Sequence, residues 1–247
     1  MEKKLAIFDS GIGGLSLLFY LKSIADIHVT YLADNSHFPY GPKTELELVK
    51  IVDENIQFLK LDHSDIIIAC NTASMIFEKH LKNKYDYVYP IISHTIDTIK
   101  QYKDIKHIGI IGTKQTIEST VYPLALHSEG NYETSSLVCG NLVTYSEELN
   151  REEDIVDYIE HHFNIFKERK IDAIVLSCTH FNRLKTSIET YFDHRVKVIP
   201  SGYGLIEKLL EENQFENKEN IVYLTRSDPK YLKKIIKFIK MNHNFEI

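Results

Sequence analysis

The chain has 247 residues, of which 43% are hydrophobic, enough for one large α/β core or two compact α/β lobes and too many for a disordered chain. A formal net charge of −6, with no dense run of Lys or Arg, leaves no electrostatic footprint for a nucleic-acid backbone, so nucleic acid is excluded as a primary partner. The start Met1-Glu2-Lys3-Lys4 passes at once into a short apolar segment, without the hydrophobic stretch of a signal peptide or a membrane span, so a cytoplasmic protein with no membrane partner is expected.

Short apolar or β-branched runs recur along the chain at residues 5–8, 29–33, 66–69, 88–92, 108–111, 174–176 and 196–199 and read as strands. Between them, residues 44–61 and 152–170 carry apolar positions at helical spacing. That alternation predicts mostly parallel sheets covered by helices, and a continuous run such as Ile66-Ile67-Ile68 fits a strand buried on both faces. A last strand at 221–224 and helix at 230–239 return to the first part of the chain. The two halves also rhyme: Ala69-Cys70-Asn71-Thr72 after one strand resembles Ser177-Cys178-Thr179-His180 after another. Likewise, the run from Leu5 to Ser10 resembles that from Ile108 to Thr113, which implies an approximate internal duplication. The expected architecture is therefore two pseudo-symmetric, doubly wound α/β lobes. Residues 1–95 with 205–247 carry Asp9 and Cys70, and residues 96–204 carry Cys178 and His180. Such sheets bind ligands at the carboxyl ends of their strands, so the active site is expected between the lobes.

The turn Asp9-Ser10-Gly11-Ile12-Gly13-Gly14-Leu15-Ser16 follows a strand and opens a helix, as a dinucleotide-binding loop would. Asp34, ending the second strand, stands near where a ribose-binding acid belongs. Against that, Ser16 replaces the third glycine and Asp9 would set a carboxylate beside an anionic pyrophosphate; the plain alternative is a tight turn with Asp9 and Ser10 capping the helix. Three separated cysteines without a Cys-x-x-Cys pair suit neither a disulfide framework nor a zinc knuckle, and their thiols are expected to be free. His161 and His162 are read as solvated, so no metal is expected.

A lone cysteine at a strand end is ordinarily a small buried hydrophobe, and Cys139 is read that way. Cys70 and Cys178 differ because they occupy equivalent places, each followed by polar residues that open a helix, whose N–H groups favour thiolate. Two matched thiols suit inversion of an α-carbon. One face needs an ionised base and the other a protonated acid, and cysteine reaches both forms near neutral pH.

Asp-Ser-Gly-Ile-Gly-Gly at 9–14, Phe-Pro-Tyr-Gly at 38–41, Cys-Asn-Thr-Ala-Ser at 70–74, Ile-Gly-Thr at 111–113 and Cys-Thr-His at 178–180 together resemble the glutamate racemases of the aspartate/glutamate racemase family. The resemblance runs in order from the first strand to the last helix. It implies an isomerase without a cofactor that supplies D-glutamate for peptidoglycan, with a homodimer as the assembly the family allows. By the same resemblance Cys70 and Cys178 are the acid/base pair, Asp9 supports the first thiol, His180 the second, and Glu147 is a further candidate. Substrate-holding roles fall on Asp9, Ser10, Pro39, Tyr40, Gly41, Asn71, Thr72, Thr116, Thr179 and His180.

Gly140 replaces the proline that usually follows the family's cysteine at Cys139, and the sequence departs from the pattern again at Ser177, Phe181, Asn182, Gln115 and Pro200. Because these cluster around the second half-site, an aspartate or broader amino-acid racemase stands as the alternative within the class. A dinucleotide-binding protein and a non-catalytic binding protein are the alternatives outside it.

Overall fold

The computed structural model describes residues 3–130, 132–149, 152–216 and 220–241. The start at Met1-Glu2 and the outer ends of the expected lobes, at 1 and 247, lie outside the described residues.

The first sheet is built from β1 (Leu5–Asp9), β2 (Val29–Ala33), β3 (Asp65–Ile68), β4 (Val88–Pro90) and β9 (Ile221–Leu224), in the order β4-β3-β1-β2-β9. The second holds β5 (His107–Gly112), β6 (Glu133–Val138), β7 (Ala173–Ser177) and β8 (Lys197–Pro200), in the order β6-β5-β7-β8. Every pairing is parallel. Read from its other edge, the second sheet runs β8-β7-β5-β6, the winding of β4-β3-β1-β2. The duplication expected from two rhyming segments thus extends over four strands in each half.

Between the strands of the first half lie α1 (Leu15–Ile24), α2 (Glu45–Lys60), α3 (Asn71–Ile76) and α4 (Ile91–Lys100). The second half carries α5 (Lys114–Glu118), α6 (Val121–Gly130), α7 (Gly140–Glu147), α8 (Glu152–His162), α9 (Asn164–Glu168) and α10 (Lys185–Tyr191). Then α11 (Tyr203–Glu212) and the C-terminal α12 (Pro229–Met241) return to the first half. Among the described residues no helix is long and apolar enough to cross a membrane.

Strand residues alternate between two buried faces. Leu5 and Ile7 of β1 join the cluster under α1, α11 and α12, whereas Ala6 and Phe8 join the one under α2 and α3. In β7, Ile174 and Leu176 face one apolar cluster and Ala173 and Val175 the other. Helices on both faces leave the carboxyl edges of the sheets as the place for polar side chains.

Three local expectations differ from the structure. β6, Glu-Thr-Ser-Ser-Leu-Val, was not foreseen, because as an edge strand it is largely exposed or half-buried, burying only Ser135, and has no apolar run. The expected strand 88–92 stops at Pro90, which caps α4, since proline cannot donate the next ladder bond. The expected helix 152–170 breaks at Phe163, whose backbone (φ −92°, ψ 0°) turns its fully buried ring edge-on to Phe166, 5.6 Å away.

Candidate active site

Both rhyming cysteines stand where their strands end. Cys70 follows β3 and caps α3, its carbonyl accepting the Ser74 N–H at 2.8 Å; Cys178 follows β7 and caps a 3₁₀ turn, Thr179–Leu184, in place of the expected α-helix. They are 8% and 7% exposed and share the wall of one cavity of about 420 Å³ between the two sheets. Ser10, Pro39, Tyr40, Gly41, Asn71, Thr72, Thr179 and His180, all expected at the site, line the same cavity. The Phe38–Pro39 peptide on this wall is cis.

Three expected residues stand behind the wall. Asp9, at the end of β1, is fully buried and accepts the Gly11 N–H (2.9 Å) and the Thr179 hydroxyl from the other half of the molecule (3.0 Å). Thr116 is buried behind Thr113, their hydroxyls 3.0 Å apart, and it is Thr113 that faces the cavity. Glu147, ending α7, is 3% exposed and pairs with His180 Nε2 at 2.7 Å, while His180 Nδ1 lies 3.7 Å from Cys178 Sγ.

The electrostatics of the two thiols differ. Burial, and then the Asp9 carboxylate, push the Cys70 thiol up to about 12; the Ala73 N–H and Ser10 hydroxyl favour its thiolate but do not prevail. Burial likewise pushes Asp9 up to about 6, moderated by His180 and the two groups bonded to the carboxylate. At His180 burial disfavours the imidazolium, yet hydrogen bonding and charge at Cys178 and Glu147 raise it well above the usual histidine value. Glu147 answers in kind: burial opposes its charge, but His180, Tyr231 and Lys234 hold it below the usual carboxylate range. The cavity thus has a carboxylate behind one sulfur and a buried imidazolium–carboxylate pair beside the other.

Several wall residues have committed side chains. The Asn71 amide donates to Ser201 Oγ (3.1 Å) and accepts the Tyr122 hydroxyl (2.6 Å), and the Tyr40 hydroxyl donates to Asp34 (2.6 Å). Such bonds fix the wall before a ligand arrives. Asp34 also accepts the Thr225 hydroxyl (2.6 Å), the Ser36 hydroxyl (3.0 Å) and the Asn55 amide (3.2 Å), and is close to His37 Nδ1 (2.9 Å). It is thereby used up as a structural hub and is not offered to a ribose.

The glycine-rich turn has a different partner as well. A Cβ on Gly13 would lie 2.6 Å from both His180 Nδ1 and Thr179 Oγ1 and 2.8 Å from the His180 backbone nitrogen. Ser16 receives the Asn182 amide at 3.2 Å. The turn therefore docks against the segment after Cys178, which removes the dinucleotide reading from Gly11 and Gly13. Of the departures from the family pattern, Ser177 and Gly140 lie on the cavity wall; the Ser177 hydroxyl donates to the Ile111 carbonyl (2.7 Å) across Gly112. Phe181 is core, Asn182 binds Ser16 and Ser201, and Gln115 lines a separate surface cleft.

Wall residues that sequence reasoning missed are Phe38, Pro42, Thr113, Lys114, Gly140, Val143, Thr144 and Ser177. The duplication contained a signal for two of them, since Thr113 and Lys114 follow β5 as Ser10 follows β1. Elsewhere, Cys139 is fully buried and all three thiols are free. His161 and His162 are exposed, donating to the Asp157 and Tyr158 carbonyls; no cluster of three or more His, Cys, Asp or Glu suited to a metal occurs among the described residues.

Residues 27–207 match the Asp/Glu/Hydantoin racemase family. A glutamate racemase of Campylobacter jejuni is 34% identical over 244 residues, covering 95% of this chain and 96% of the relative. Among solved structures, a glutamate racemase of Bacillus anthracis superposes with a TM-score of 0.87 at 25% identity, covering 99% of this chain and 95% of that one. One from Francisella tularensis in complex with D-glutamate gives 0.84 at 27% identity, covering 97% and 94%. Sequence, strand order and the cavity between the sheets agree: this chain belongs to the aspartate/glutamate racemase family and is an isomerase of the racemase class.

Proposed function

We propose that the protein interconverts L- and D-glutamate by two-base proton transfer at the α-carbon, with Cys70 and Cys178 as the paired acid and base and no cofactor. The observation that carries this reading is the pair of thiols at equivalent strand ends on one cavity wall. The substrate is taken from the relatives' names and from the D-glutamate bound in the Francisella structure.

In this mechanism one sulfur, ionised, takes the α-proton, and the other, protonated, gives its proton to the opposite face. The reverse reaction exchanges the roles, and no net proton is consumed. His180, held by Glu147, faces Cys178 when that sulfur is anionic; Asp9 stands behind Cys70 and keeps it protonated until substrate arrives. The substrate ammonium then places a positive charge between the sulfurs, which favours thiolate on either side. Ser10, Gly41, Thr72 and Thr179 offer donors to the carboxylates, with Pro39, Tyr40 and Asn71 shaping the wall and Thr116 setting the Thr113 hydroxyl. Fixed donors around the developing enolate supply the stabilisation that a weakly acidic α-proton requires.

Supply of D-glutamate for peptidoglycan, a cytoplasmic location, a homodimer and lobes bounded at 1–95 with 205–247 and 96–204 belong to the same reading. Cys70→Ser and Cys178→Ser should each lower racemisation of glutamate by about a thousandfold, within the range for loss of a positioned acid or base, with circular dichroism of the fold unchanged. Normal turnover in either variant contradicts the mechanism. Faster turnover of aspartate than of glutamate by the wild type contradicts the substrate.

A further inference from the structure

The pair that faces Cys178 is reached from the far end of the chain. Lys234 of α12 places its Nζ 3.8 Å from Glu147 Oε1, the oxygen that His180 does not use, and 3.8 Å from Glu148 Oε1. Its side chain is 26% exposed, whereas that of Glu147 is 3% exposed. Tyr231, one turn earlier on α12, brings its hydroxyl against the same carboxylate, and a Cβ on Gly11 would meet both groups, at 3.0 and 3.2 Å. Tyr231 is the neutral donor at that carboxylate, and Lys234 is the cation beside its Oε1.

The remaining groups around Glu147 do not replace it. From the 3₁₀ turn comes His180; from the glycine-rich turn the Ile12 N–H approaches Oε2 at 3.4 Å. Asp9 of β1 and Tyr31 of β2 feel the Glu147 charge, and Arg183 is engaged with the Ser146 carbonyl at 3.2 Å. Directly after Glu147, at the C-cap of α7, the neighbouring charge is the exposed Glu148.

We propose that Lys234 is a positioning residue for the racemase reaction, holding Glu147 against His180 from outside the substrate cavity and so fixing the ring that faces Cys178. The C-terminal helix is thereby part of the working site, although it contributes nothing to the cavity wall. The proposal rests on the racemase reading above for its catalytic meaning, but its charge relation can be measured without substrate.

The test is a ¹³C titration of glutamate side-chain carboxyls in substrate-free protein, with the Glu147 resonance assigned by its loss in Glu147→Gln. In Lys234→Met the Glu147 midpoint should rise by about one pH unit, the low end of what an opposite charge at this distance supplies. It should return to the wild-type value in Lys234→Arg and stay there in Glu148→Gln. On L-glutamate, Lys234→Met should lower kcat about tenfold while KM changes less than about twofold, the signature of a group that acts on the chemical step. A Glu147 midpoint that does not move in Lys234→Met, or that moves equally in Glu148→Gln, overturns the proposal. Failure of the wild type to racemise glutamate contradicts the proposed function instead and leaves the titration to decide the role of Lys234.

Discussion

Asp9, buried behind the cavity, carries a cost to the fold. Its carboxyl is raised by burial from 3.8 to about 6, so between these pH values the folded state binds more protons than the unfolded one. Stability therefore falls as pH rises through that window, and above it the whole penalty applies, about 3 kcal/mol for a shift of this size. Asp9→Asn should remove the penalty: its stability relative to the wild type, from urea unfolding, should grow by about 2.5 kcal/mol between pH 4 and pH 7. A constant difference across that range would show that Asp9 is not strained by burial. Racemisation should fall in the same variant, because the charge behind Cys70 is gone. At this scale the sequence was legible where candidate side chains stand at strand ends: Cys70 and Cys178 do line one cavity, and Asp9 lies buried behind it. Glu147 was legible only through the family resemblance. Lys234, 87 positions further on by number, was not legible at all, since nothing local marks a lysine on an amphipathic helix as facing a buried carboxylate.

Among the elements, the end of β2 shows how the loop bearing Pro39, Tyr40 and Gly41 is held. Asp34 ties Tyr40 of that loop, Asn55 of α2 and Thr225 beyond β9 to one buried carboxylate. Burial alone would raise its pKa, but donation by Thr225, Tyr40 and His37 prevails and lowers it. The resulting stabilisation is present above the unfolded carboxylate value near 4 and is lost as pH falls through the lower folded one. Asp34→Ala leaves several donors stranded and should cost about 1–3 kcal/mol at neutral pH, read by denaturant unfolding. The cost should shrink in acid; a pH-independent cost would point to packing alone. The sequence placed Asp34 correctly at a strand end and left a ribose-binding role open as an alternative, because a chain read in one dimension does not reveal that Thr225 returns to it. For the same reason β6 was missed: an edge strand is recognised by its neighbour β5, not by its own Ser and Thr residues.

In the whole molecule, two sheets of matching winding must be held at one distance for the two thiols to share a cavity. The contact that sets it is the Gly13 turn against Thr179 and His180, reinforced by Asn182 on Ser16 and by Asn71 on Tyr122 and Ser201. Gly13→Ala would force a methyl group into this contact. It should cost about 1–3 kcal/mol by overpacking and lower turnover about 10- to 100-fold by displacing Cys178 from its partner. A variant with wild-type turnover and stability would show that the halves have slack. The two-lobed architecture was legible because the duplication repeats strand-end motifs, whereas the use of the glycine turn was not, because glycine for a phosphate and glycine for a neighbouring backbone leave the same trace in sequence.

The central claim is that two different groups act on opposite faces of the α-carbon. Its most direct test is the early time course of L-glutamate racemisation in D₂O without added cofactor, with the enantiomers separated and weighed. The account predicts that the D-glutamate first formed carries deuterium at the α-carbon while the recovered L-glutamate remains protiated, since the proton removed and the proton returned reside on different thiols. Protium retained in the product, or deuterium appearing in the recovered substrate as fast as the product forms, would mean that one base serves both faces and would contradict the roles assigned to Cys70 and Cys178.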